Sequence, residues 1–304
     1  MSVIEVSHLT KDYGSGRGVF DVSIHVDQGE CFGFLGPNGA GKTTTIRHLM
    51  GFSKPQKGKC LIAGLDSWQY AATLKHTVGY LPGEVALPRG LTGVEFLNMM
   101  KKMRKMQDDR YLKELLDRFD LDPAMDIHQM SLGVRRKLAV VTAFMHDPDI
   151  LILDEPTSGL DPIMQQTFIQ YVLSEKARKK TILLSSHIFH EVDATCDRIS
   201  IIKDGKIEAD FEAAELSNRS QKIYRVTFED KQSYECFAAM PYQFTSKNLG
   251  KLRARVTVDN QEINKLISDV ADLNISDFQE IPFTLEDYFM QFYKEERIFE
   301  GVRR

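Results

Sequence analysis

Apolar and polar residues alternate through positions 3–9 and again through 20–26, the two-residue period of strands with one face against a core. Positions 31–35 read differently. Cys-Phe-Gly-Phe-Leu is an unbroken apolar run, suited to a strand covered on both faces. A glycine-rich turn follows, and 43–50 takes up a helical period. Further strands are predicted at 59–63 and 78–81. From about 92 to 144 the pattern is helical, and short apolar runs then return at 150–153, 181–184 and 199–202 with helical stretches between them. Strands separated by helices imply a parallel sheet with helices packed on it, and the long helical stretch, about 85–145, reads as a subdomain inserted into that core.

The polar stretch 218–221 has the composition of a linker. Beyond it, 223–228 and 253–258 predict strands and 262–271 and 285–294 predict helices. The chain is therefore divided into 1–218 and a small α+β extension, 219–304.

Composition narrows the function only by exclusion. Of 304 residues, 42% are hydrophobic and 27% charged, enough for a core and outside the disordered class. The formal net charge of −4 argues against nucleic-acid binding through bulk charge. No apolar run approaches the length of a membrane span, and the first residues lack the charged start and apolar core of a signal peptide. Cys31, Cys60, Cys196 and Cys236 form no Cys-x-x-Cys pair and are expected as reduced thiols of a cytoplasmic protein.

The chemistry begins at Gly36-Pro37-Asn38-Gly39-Ala40-Gly41-Lys42-Thr43, a Gly-x-x-x-x-Gly-Lys-Ser/Thr loop between a predicted strand and a predicted helix. Backbone N–H groups can solvate phosphates only where the chain comes close, which glycine permits. The helix that follows aims its N-terminal amides at the same anion. Lys42 is expected at the β- and γ-phosphates, Thr43 on Mg²⁺ and Thr44 toward the α-phosphate. Downstream, the apolar strand 150–153 runs into Asp154-Glu155-Pro156, and 181–186 runs into His187. In an open parallel sheet, ligands lie at the carboxyl ends of strands. Asp154 is thus a Mg²⁺ ligand candidate, Glu155 the candidate general base and His187 a candidate γ-phosphate contact.

With these elements in order, the chain resembles the nucleotide-binding subunit of ATP-binding cassette (ABC) transporters. Met130-Ser131-Leu132-Gly133-Val134 stands where that family's Leu-Ser-Gly-Gly-Gln signature is expected, followed by Arg135, Arg136 and Lys137. Ser158-Gly159-Leu160-Asp161 looks like its D-loop, and Tyr13 stands where an aromatic ring stacks on adenine. The resemblance covers about residues 1–217. It implies an α/β fold, a P-loop NTPase (RecA-like) core with an N-terminal antiparallel β portion. It also implies ATP and Mg²⁺ as cofactors and head-to-tail pairing, as a homodimer or with a paired ATPase subunit, so that Ser131 and Gly133 of one copy complete the ATP site of the other. A multi-spanning permease is the implied partner, and the cytoplasmic face of the membrane the implied location. Two departures stand out: Leu132 and Val134 replace glycine and glutamine, and Gly83-Glu84 stands where a glutamine is usual, which makes Glu84 a candidate metal or water ligand. The extension, ending Thr284-Leu-Glu-Asp-Tyr-Phe-Met, looks like that of bacterial multidrug- and peptide-exporter ATPases with separate permeases. An ABC-type ATPase of translation or DNA repair, and a nucleotide switch with weak hydrolysis, are the alternatives. Met99, Met100, Met103 and Met106 have the spacing of a core face, with an adaptable permease-docking surface as the second reading. The lysines and arginine among them read as a solvated face.

Overall fold

The computed structural model describes residues 2–217 and 221–294, so 218–220 of the predicted linker lie outside the described residues. The chain forms two compact units, Met1–Ala213 and Ala214–Arg304.

In the first unit, β1 (Ser2–Gly14) and β2 (Arg17–Asp27) form a hairpin, and β3 (Cys31–Leu35) leads through the glycine loop into α1 (Lys42–Leu49). Next come β4 (Lys57–Ile62), β5 (Leu65–Asp66), α2 (Ala71–Thr77) and β6 (Val78–Leu81). Three helices follow, α3 (Gly93–Arg104), α4 (Arg110–Arg118) and α5 (Leu132–Phe144). Then β7 (Ile150–Asp154), α6 (Pro162–Ala177), β8 (Thr181–Ser186), α7 (Phe189–Thr195), β9 (Arg198–Lys203) and β10 (Lys206–Glu212) complete the unit. Helix α8 (Ala213–Ser217) lies across the division.

Two sheets result. The first, in the order β2-β1-β4-β5, is antiparallel, as the alternating N-terminal pattern requires. The second, in the order β10-β9-β3-β8-β7-β6, is parallel except for its β10 edge. The central strands β3, β7 and β8 are buried along almost their whole length, as their unbroken apolar runs predict. Phe32, Phe34, Ile46, Leu49, Ile152 and Leu183 knit both sheets and α1 into one core. Each fully buried side chain of this size stabilises the fold by about 1.5–3 kcal/mol.

The strand register sets the site. Leu35 of β3 is level with Ser186 of β8, Ser185 with Asp154 of β7, and Leu153 with Leu81 of β6. Four neighbouring strands therefore deliver the glycine loop, His187, Asp154-Glu155 and Gly83-Glu84 to one edge.

The methionine stripe corrects the core-face expectation. Helix α3 buries Phe96 and Leu97, whereas Met99 and Met103 are exposed. Met100 and Met103 instead line an apolar groove of about 440 Å³ with Phe52, Tyr80 and Arg104. Among the cysteines, Cys31, Cys60 and Cys196 are buried and Cys236 is exposed, all as free thiols.

The second unit runs β11 (Gln221–Phe228), α9 (Lys231–Ala238), β12 (Gln243–Asn248), β13 (Arg253–Asp259), α10 (Ile263–Ala271), β14 (Ile275–Ile281) and α11 (Leu285–Lys294). Its antiparallel sheet, in the order β12-β13-β11-β14, gives a βαββαβ, ferredoxin-like topology. Tyr224, Val226 and Phe228 of β11 alternate inward against Phe237 of α9 and Leu266 of α10.

Candidate ATP site

Two loop glycines are dictated by space. A Cβ on Gly36 would stand 2.4 Å from the Ile202 carbonyl oxygen. Gly41 caps α1 at φ +114°, and a Cβ there would stand 2.7 Å from Val19 Cγ1 of β2. The loop is thus wedged between β9 and the hairpin, and glycine is what allows its backbone to pack that closely.

Lys42 is 5% exposed and bends back over its own loop. Its ammonium donates to the carbonyls of Gly36 (2.6 Å) and Pro37 (3.2 Å) and pairs with Glu155 Oε1 at 3.0 Å. The other carboxylate oxygen of Glu155 is 2.5 Å from His187 Nδ1. Lysine, glutamate and histidine, far apart in the chain, thus form one connected set. Glu155 itself is held at φ +47°, with its N–H donating to the Ser185 carbonyl at 2.9 Å. A left-handed glutamate is a strained residue of the kind found where surrounding structure over-determines a functional side chain.

Asp154 is fully buried. Ser185 Oγ donates to its Oδ1 at 2.5 Å, and its Oδ2 has no hydrogen-bond partner. An orphaned anionic oxygen in a dry setting is costly, and a cation removes that cost. Thr43, Glu84, Asp154, Glu155, Ser158, Asn38 and His187 line one cleft of about 820 Å³, joined by Arg47, Phe52 and Tyr80. A Cβ on Gly83 would lie 3.1 Å from Asp154 Oδ2, so the turn carrying Glu84 sits directly on that oxygen. No cluster of three or more His, Cys, Asp or Glu side chains suited to a metal occurs among the described residues. That fits Mg²⁺, which is usually held by one or two protein oxygens together with substrate phosphates.

The remaining predicted residues lie elsewhere. Ser131 caps α5, its Oγ accepting from the Val134 N–H at 3.3 Å, and neither it nor Gly133 lines the cleft. Leu132 beside them is 62% exposed. Asp161 caps α6, accepting from the N–H groups of Ile163 and Met164 at 3.0 Å each, with Pro162 at the first helical position. Its carboxylate is thereby engaged in holding a helix end. Tyr13 is 56% exposed near the tip of the hairpin, where the Lys11 ammonium lies over its ring. Its neighbour Asp12 pairs across the hairpin with Gly18, the residue beside Val19.

Two residues of the site carried no sequence signal that separated them from their neighbours. Arg136 is one of three consecutive basic residues, yet it is 2% exposed. Glu191, in the first turn of α7 and four residues after His187, is 1% exposed and accepts from Ser186 Oγ at 2.6 Å. Burial pushes its carboxyl up to about 7, and the nearby Glu155 charge acts the same way.

A family model described as ABC transporter matches residues 19–158. The bacitracin transport ATP-binding protein BcrA of Bacillus licheniformis is 31% identical over 301 residues, covering 95% of this chain and 97% of its own. The chain belongs to the ABC transporter ATP-binding protein family. The Nod factor export ATP-binding protein I of Paraburkholderia xenovorans is 37% identical over 210 residues, covering 67% of this chain and 69% of its own. A solved ATP-binding subunit of an ABC transporter superposes with a TM-score of 0.66 at 30% identity, covering 70% of this chain and 91% of its own. The chain is therefore an ATP-binding, ATP-hydrolysing transporter subunit, and its core is the P-loop NTPase fold that the motif order implied. No helix among the described residues is long and apolar enough to cross a membrane.

Proposed function

We propose that this subunit powers export through a separate multi-spanning permease, from the cytoplasmic face of the membrane, by ATP-driven closure of two cassettes. The observation that carries the site assignment is the connected set of Lys42, Glu155 and His187 beside the orphaned Asp154 oxygen. In this reading Lys42 leaves its loop carbonyls for the β- and γ-phosphates, while the loop N–H groups and the α1 N-terminus hold the rest of the triphosphate. Thr43 and Asp154, with Glu84 from the adjacent turn, are the residues that would hold Mg²⁺, which supplies charge neutralisation at the phosphate oxygens. Once the lysine has moved, Glu155 is free to accept a proton from the attacking water. His187, whose Nδ1 faces Glu155, keeps Nε2 for the γ-phosphate.

The signature supports pairing. Ser131, Gly133 and the first amides of α5 form a donor group outside the cleft of their own chain, available to the γ-phosphate of a second cassette. Export as the direction rests on the likeness to the Nod factor export protein, and a transport role on the BcrA match, which extends through most of the second unit. The apolar groove beside Met100 and Met103 has the adaptable lining that suits a permease helix.

Glu155→Gln tests the mechanism. Loss of a general base is expected to lower ATP turnover by roughly 10²–10⁴-fold while ATP binding persists. Turnover at the wild-type rate in that variant would remove Glu155 from the reaction.

A further inference from the structure

All five N–H donors of a guanidinium are rarely satisfied by main chain alone, yet the Arg136 side chain achieves this. Its Nε donates to the Pro156 carbonyl at 2.9 Å. Nη1 donates to the carbonyls of Pro82 (2.7 Å) and Gly83 (3.0 Å). Nη2 donates to the carbonyl of Asp154 (3.1 Å) and to that of Glu155. No carboxylate pairs with it among the described residues.

Taking a cation out of water without an ion-pair partner costs several kcal/mol, and the five carbonyl dipoles offset that cost. An apolar residue would spare the cation's desolvation but would take the donor away from all five carbonyls, so the guanidinium joins these segments as well as filling space. The acceptors indicate what that role is. Two lie in the turn that rests on Asp154 Oδ2 and carries Glu84. Three lie in the backbone of Asp154, Glu155 and Pro156, including the strained catalytic glutamate. The donor sits on α5, about one and a half turns beyond Ser131 at its cap. A displacement of α5 cannot leave both segments where they are.

We infer that Arg136 is a positioning residue that fastens the signature helix to the Glu84 turn and to the backbone of Glu155, so that hydrolytic geometry is set by where the signature helix lies. This rests on the assignment of Glu155 as the base. Engagement of Ser131 and Gly133 by the second cassette's ATP then acts on the Glu155 of the same chain through one side chain. Lysine cannot replace it, because an ammonium has three donors at a single point and the two segments are bridged by a planar fork.

The test uses the full chain with Mg²⁺ and ATP, comparing wild type, Arg136→Lys, Arg136→Met and Glu155→Gln. Turnover, KM, ATP affinity by a fluorescent-nucleotide titration and melting temperature are read for each. Arg136→Lys is expected to lose about 10–100-fold in kcat, the scale of a small misplacement of a reacting group, with KM and ATP affinity moving less than about threefold. A folded Arg136→Lys with wild-type kcat overturns the inference, as does a loss shared equally by turnover and ATP affinity. Should Arg136→Met not fold, Arg136→Lys decides; should neither fold, the role is structural and the inference is wrong. Wild-type turnover in Glu155→Gln instead defeats the assignment of the base, whatever the arginine variants show.

Discussion

The two regions of this ATPase that the proposed mechanism assigns to nucleotide are built on opposite terms. At the carboxyl ends of β3, β8, β7 and β6, Lys42 and His187 both pair with Glu155, and Asp154 Oδ2 is buried without a hydrogen-bond partner. At the start of α5, Ser131 does no more than cap its helix, and the adjacent Leu132 is exposed. On the mechanism proposed above, the first region reorganises to take in ATP, with Lys42 exchanging carbonyls and a carboxylate for phosphates. In the second, the Ser131 hydroxyl accepts from the Val134 N–H of its own helix, outside the cleft. On that proposal a second copy finishes the chemistry, and nucleotide affinity and turnover become separable properties.

The sharpest way to break the contrast is to damage only the first region. Gly36→Ala places a methyl group 2.4 Å from the Ile202 carbonyl, so the loop must shift. Overpacking of this kind costs about 1–3 kcal/mol. If the loop bears that strain, ATP affinity falls by up to roughly a hundredfold, with a lowered melting temperature. A calorimetric titration that gave wild-type affinity would show that the loop does not cradle the phosphates.

Ser131→Ala acts on the second region and is expected to be milder and differently distributed. A hydrogen bond to a charged group is worth about 1.5–3 kcal/mol, and at the lower end of that range, suited to an exposed helix cap, turnover falls by about tenfold. ATP affinity of the unpaired subunit should stay within about twofold, because Ser131 does not line its own cleft. An equal loss of affinity in dilute, unpaired protein would place the serine in the site of its own chain and dissolve the contrast.

How far each region could be read in advance follows from the same physics. The glycine loop, Asp154-Glu155 and His187 were legible because strand ends and close backbone approach leave marks in local sequence: unbroken apolar runs, and glycines where a Cβ would collide. Arg136 left none, since a clamp on carbonyls places no demand on the identity of its partners. The methionines of α3 misled because helical spacing is the same whether a face meets the core or an open groove. In the second unit, β12 and β14 escaped notice because their exposed, polar-rich sequences lack a clear alternation, although they complete a ferredoxin-like sheet. The division at Ala213 also falls earlier than the polar linker stretch, since α8 leaves no compositional mark there.

The smallest effect concerns the layer beneath the first region. Glu191 is buried beside Glu155 with its carboxyl held up to about 7, whereas in the unfolded chain it titrates in the ordinary glutamate range. Between those two values the folded state retains a proton that the unfolded state has released. The glutamate's contribution to stability is therefore fully present below about pH 4 and is lost as pH rises toward 7. Glu191→Gln keeps the shape, removes the titration and retains an acceptor for Ser186. Its stability relative to wild type should accordingly rise between pH 5 and pH 8, by on the order of 1–3 kcal/mol in chemical denaturation without nucleotide. The variant should leave the unpaired subunit's ATP affinity unchanged, because Glu191 lies behind the cleft and does not line it. Parallel stability curves for the two proteins across that range would mean that Glu191 is already ionised in the fold. The hydrogen bonds from Ser186 and Thr157, joined by the Arg136 charge, would then be the source of its compensation.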